Sequence, residues 1–118
     1  MMKLVSTTTN RTLIPNLHVA DTTWSRMVGL LGRDGLAPDE ALYIPRCASI
    51  HTFFMKFPID VVFVNSAMEV TKTVASVGPG RLVFTNWATR HVIEFSEGFL
   101  AQNPIQIGEK LHVDHSLS

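Results

Sequence analysis

The stretch whose reading decides the fold is Cys47-Ala48-Ser49-Ile50-His51-Thr52-Phe53-Phe54-Met55-Lys56-Phe57-Pro58-Ile59-Asp60-Val61-Val62-Phe63-Val64. Its last four residues form a continuous apolar run of strand length. A short run of this kind between turn signals reads as a β-strand buried on both faces. Phe57-Pro58 forces extended or turning chain before Ile59, and Ile50 to Met55 is a second strand candidate, aromatic and β-rich. Asp60 places a carboxylate at the head of the buried strand, where charge is costly unless paired or hydrogen-bonded. Lys56 is its nearest candidate counter-ion in sequence, with Arg26 and Arg46 as alternatives.

Outward from this segment the chain reads as short strands and turns. Asn65-Ser66-Ala67 is a turn, and Met68 to Val77 is expected to pair back as a hairpin, with imperfect alternation along Val70, Lys72, Val74 and Ser76. Gly78-Pro79-Gly80 breaks the chain, and Arg81–Phe84 and Arg90–Phe95 are further strands. Lys3–Thr9 is a first strand, and Leu13–Ala20 a second, interrupted by Pro15 as at a sheet edge or bulge. Ala41–Pro45 is another, and Ile105–Val113 closes as two short strands about Gly108. One segment stands apart. Asp21-Thr22-Thr23 resembles a helix start, Trp24, Met27, Val28 and Leu31 recur at helical spacing, and Gly32 is placed to end the turn. An N-terminal helix over about residues 22–31 is expected, and a short C-terminal helix can begin at Ser96-Glu97-Gly98 and stop at Pro104. Many short strands with frequent turns indicate a sandwich or barrel. The expected fold is mainly β, a compact sandwich or barrel-like antiparallel domain spanning 1–118, with a loose tail at 114–118.

Composition narrows the function classes. The 118 residues are 46% hydrophobic, and ten Lys+Arg balance ten Asp+Glu. Such a chain is apolar enough for a core and too neutral for intrinsic disorder. It lacks the overall basic field that drives nucleic-acid binding. The single cysteine excludes an internal disulfide. No apolar run approaches the roughly 20 residues of a membrane span, and the N-terminus lacks the apolar stretch of a secretory signal. A cytoplasmic location is the expectation.

The polar residues between Cys47 and Asp60 admit three chemical readings. Cys47 could be a nucleophile activated by His51. Cys47, His51 and Asp60 could hold a metal, although neither CxxC nor HxxxH is present. Phe53, Phe54, Met55 and Phe57 could form the apolar wall of a small-ligand pocket carrying His51, Lys56 and Asp60. Against all three, His51 and Asp60 can simply be satisfied structural groups. For Asp60 the structural reading is preferred, as an anchor that accepts backbone N–H or Arg hydrogen bonds and fixes the preceding turn, and removing one partner of such a buried network costs about 3–5 kcal/mol. Trp87 lies in a polar segment and is a candidate contact on an exposed face, as is the edge strand Leu13–Ala20. No GxGxxG, Walker A, GxSxG or HExxH pattern occurs.

These segments together resemble a known family. Thr22…Arg26-Met27-Val28-Gly29-Leu30-Leu31-Gly32-Arg33 is similar to its T-x-x-x-R-x-x-G-L-M-x-R signature. Phe53-Phe54-Met55-Lys56 through Asp60-Val61-Val62-Phe63-Val64 is similar to its F-W-M-K…D-x-x-F-I core. Val92-Ile93-Glu94 and Ile107-Gly108-Glu109 resemble its closing motifs. The family is the bacterial and archaeal domain of unknown function 192, and the Cys47-to-Thr52 lead-in resembles one branch of it. The resemblance implies a compact, mostly β fold with one or two short helices, and no established activity. Ser25 and Asn65-Ser66-Ala67 depart from the usual acidic residue and Asp-x-x-Gly turn. The matched polar residues are Arg26, Arg33, His51, Lys56, Asp60 and Glu94.

The expected function is a non-enzymatic binding module for a small molecule or protein, with His51, Phe53, Met55, Lys56, Asp60 and Arg26 as binding residues. The alternatives are a Cys47/His51 enzyme or redox protein, or a pure interaction domain. No metal, cofactor or nucleic-acid partner is expected.

Overall fold

The computed structural model describes residues 2–20, 35–52, 56–85 and 87–115. Its spine is the apolar run, which becomes strand β6, Ile59–Asn65, buried through Val64. Alternation along a strand sends successive side chains to opposite faces, and here both faces are covered. Val62 and Val64 enter one core cluster with Leu4, Ile14, Ile93, Phe95, Phe99 and Leu111. Ile59, Val61 and Phe63 enter a second with Ile44, Ile50, Phe57, Val77 and Val92. A hydrophobic run without alternation is therefore what the position demands.

The remaining strands are β1 Lys3–Ser6, β2 Arg11–Ile14, β3 Asn16–Val19, β4 Glu40–Ile44, β5 Ser49–His51, β7 Val70–Val77, β8 Leu82–Phe84, β9 Thr89–Ser96 and β10 Leu111–Asp114. A five-stranded sheet runs β3-β4-β9-β6-β7. A three-stranded sheet, β10-β1-β2, supplies Leu4, Leu13, Ile14 and Leu111 to the first cluster. The β5–β8 pair supplies Ile50, with Val83 packed beside it, to the second. The sheets do not close into a barrel.

Three expectations need correction. The fold is not wholly antiparallel: β3 pairs β4 in parallel, Asn16 opposite Glu40 through Val19 opposite Tyr43. Leu13–Ala20 is not one strand; it divides at Pro15 into β2 and β3, each an edge of a different sheet. Proline cannot donate to a ladder, so the switch between sheets falls where no donor is lost. Only the second strand of Ile105–Val113 forms, after a turn in which Gly108 takes φ 89°. The helix expected at 22–31 lies outside the described residues. The short C-terminal helix is present as α1, Phe99–Gln102, opened by Gly98 at φ 89°.

The imperfect alternation of β7 also has a physical cause. Ile59 opposes Val77 while Val61 opposes Val74, so β7 carries one residue more than β6 between the same rungs. This is a β-bulge, and Ser76 sits in it at φ 55°.

Candidate functional site

Asp60 is fully buried on β6, opposite the bulge. Its Oδ1 accepts the Ser76 N–H and its Oδ2 accepts the Leu100 N–H, each at 2.9 Å. The bulge withdraws Ser76 from the ladder, and α1 has no side-chain cap of its own at Gly98. One carboxylate thus satisfies an orphan amide of a bulge and another of a helix start. The sequence left cations and backbone amides open as partners; those observed are backbone amides, of the β7 bulge and α1 rather than of the preceding turn. Glu109, also buried, works similarly: Oε2 accepts the Ser6 hydroxyl at 2.6 Å and Oε1 the Gln106 N–H at 3.1 Å.

Cys47 follows Arg46, which has a left-handed φ of 55°. The chain turns there, the Cys47 amide donates to the Arg90 carbonyl at 2.8 Å, and the thiol donates to the Ser49 carbonyl at 2.8 Å. Half-buried, Cys47 packs against the second core cluster. His51 holds the β5 register position opposite Leu82. Lys56 is exposed just before buried Phe57. Arg26, Arg33, Phe53 and Met55 lie outside the described residues. Glu94 is buried on β9, opposite Leu42 and Val61. Among the described residues, no group of three or more His, Cys, Asp and Glu side chains is arranged to hold a metal ion.

Sequence reasoning passed over Thr52, the last residue of the lead-in. It is fully buried. Its hydroxyl donates to the Gly78 carbonyl at 2.6 Å and accepts the Arg81 N–H at 2.8 Å, while its backbone bonds Arg81 and Gly80. Thr52 therefore clamps the Gly78-Pro79-Gly80 turn onto β5.

Two surface features lie apart from these buried groups. A cleft of about 350 Å³ is lined by Leu13, Pro15, Asp39, Glu97, Phe99 and Asn103, among others. At the other end of β9, Leu82, Phe84 and Trp87 are 49, 64 and 87% exposed, so the expected exposure of Trp87 is observed. His91, near Trp87, accepts the Arg46 N–H at Nδ1 (3.0 Å) and lies 5.7 Å from the Tyr43 ring. Partial burial, followed by the charges of Arg90 and Arg46, holds its pKa below the ordinary histidine value.

Fold and side-chain geometry define a small, mainly β protein whose buried carboxylates tie strands, turn and helix together. The chain belongs to the uncharacterised family called domain of unknown function 192, whose family model matches residues 4–113. It is 27% identical over 112 residues to a UPF0127 protein of Thermococcus sibiricus, covering 92% of this chain and 72% of that one. Two solved structures share the fold. A Sinorhizobium meliloti protein, named as a candidate transcription regulator, superposes with TM-score 0.78 at 18% identity, over 95% of this chain and 91% of that one. A Novosphingobium aromaticivorans protein of unknown function gives 0.75 at 21%, over 94% and 82%. Among the described residues, no helix is long and apolar enough to cross a membrane.

Proposed function

We propose that this chain is a binding module without covalent chemistry of its own. The observation that carries the reading is where the polar groups are spent. Both Asp60 oxygens accept backbone amides, the Cys47 thiol donates to a carbonyl, and the Thr52 hydroxyl holds a turn. Large apolar side chains meanwhile remain exposed on β8 and the following turn. In this reading His51, Phe53, Met55, Lys56 and Arg26 are contact candidates, and Asp60 anchors β6 to the β7 bulge and the start of α1.

The test is a thermal-shift screen of the purified protein and its Cys47→Ser variant against metabolites, nucleotides and lipid headgroup analogues. A ligand preferring the native state raises the apparent melting temperature. The expected result is a shift that survives Cys47→Ser. A substrate turned over at a rate abolished by Cys47→Ser overturns the reading.

A further inference from the structure

We propose that the β5–β8 end of the molecule docks onto an anionic lipid surface, with Leu82, Phe84 and Trp87 entering the headgroup boundary. The proposal rests on the binding reading and names the partner. Val83 packs toward the second core cluster, so alternation sets Leu82 and Phe84 on the opposite, outward face. Trp87 rides the turn between β8 and β9. That turn is pinned by the Thr89 hydroxyl, 3.0 Å from the Thr85 hydroxyl and 2.7 Å from that of Thr71. The three side chains are therefore presented by tethered backbone. Exposed apolar side chains grouped within one short stretch, Leu82 to Trp87, make a candidate interaction site.

Charge selects the partner. Arg81 directly precedes β8 and is exposed, as are Arg46 and Arg90. Cys47 links these two to β8: its amide bonds the Arg90 carbonyl, and its thiol bonds Ser49, which opposes Phe84. Glu69, in the turn beside Thr89, is a carboxylate on that side, and it accepts the Asn65 side-chain amide. Asp39 and Glu97 lie at the cleft, beyond the far end of β9. Seven residue steps from Thr89 to Ser96 are roughly 23 Å. Among the described residues, Arg46, Arg90 and Lys72 thus give the Trp87 side a positive balance, whereas Arg81, held by Thr52 beside Gly78, lies toward the Ser96 end.

The geometry disfavours one other occupant, an added strand. The Lys72 ammonium donates to the Phe84 carbonyl at 2.9 Å, occupying an acceptor that an added strand would need. A bilayer boundary needs no matching shape, seats tryptophan at headgroup level and places phosphates beside the arginines.

The test is cosedimentation with phosphatidylglycerol–phosphatidylcholine vesicles and with phosphatidylcholine vesicles alone, at low and physiological salt. A short oligodeoxythymidylate is the competing probe. The expected result is binding to the anionic vesicles at least tenfold tighter than to the neutral ones. Phe84→Ser/Trp87→Ser, or Trp87→Ala alone, is expected to lose at least tenfold with an unchanged melting temperature, and Arg46→Gln/Arg90→Gln to weaken the salt dependence. Absence of wild-type cosedimentation, equal binding by both aromatic variants, or preference for the oligonucleotide overturns the lipid proposal. A Cys47-independent ligand shift in the screen above would still leave the binding reading standing.

Discussion

Asp60 and Leu100 lie 40 residues apart in the chain, yet the Asp60 Oδ2 accepts the Leu100 N–H at 2.9 Å. Leu100 is the second residue of α1, the position whose amide an N-cap side chain normally satisfies. Gly98 has no side chain to do so, and its φ of 89° suits glycine rather than a capping residue. The cap is therefore supplied from the centre of the sheet, and the same carboxylate closes the β7 bulge. One buried charge couples strand, bulge and helix.

Replacing this carboxylate should unfold the arrangement without creating a cavity. Asp60→Asn keeps the volume but turns one acceptor into a donor facing either Ser76 or Leu100. Hydrogen bonds to charged groups contribute about 1.5–3 kcal/mol each. The expected outcome is a loss of that order or somewhat more, seen in urea denaturation as a lower midpoint at unchanged slope. An unchanged midpoint would refute the anchor role.

Ser6 and Glu109 are separated by 103 residues and joined at 2.6 Å. The bond ties the end of β1 to the turn before β10. Ser6→Ala and Glu109→Gln should each destabilise, and the double variant should lose less than the sum. A coupling energy of about 0.5–3 kcal/mol is expected for groups in one network. Strict additivity in the double-mutant cycle would show that the bond contributes nothing.

Much of the strand pattern was legible because burial on two faces leaves a plain signature in Val61–Val64. The anchor role of Asp60 was legible for the same reason, since a charge at such a position has to be satisfied. Its partners were not. The Ser76 amide becomes available only through a bulge, and Leu100 only through the return of the chain after β9. The parallel β3–β4 pair escaped because Leu13–Ala20 carries one apolar pattern across two sheets. Thr52 escaped because a threonine in a β-rich segment reads as propensity, and only the fold sets the Gly78 carbonyl before its hydroxyl.

Thr52 gives a local prediction. Thr52→Val preserves shape but removes one donor and one acceptor, leaving the Arg81 N–H and the Gly78 carbonyl short of a partner. Buried groups left unsatisfied cost about 1–3 kcal/mol. Amide hydrogen exchange at Arg81 should quicken more than exchange in β9, and Thr52→Ser should restore much of the protection. Uniform loss of protection throughout would mean that Thr52 matters only to global stability.

His91 predicts a pH dependence with a definite sign. Its pKa in the fold lies below the ordinary 6.5, so the unfolded chain binds its proton more readily. Stability then rises with pH between the folded and unfolded values. The contribution is fully present above about pH 6.5 and is lost as pH falls toward the folded pKa. Protonation also removes the Nδ1 acceptor of the Arg46 N–H. His91→Asn retains an acceptor near that position and cannot titrate. The wild type should lose melting temperature between pH 7.5 and 5.5, and His91→Asn should lose less over the same interval. If both proteins follow the same curve, the Arg46–His91 contact contributes nothing to the pH dependence.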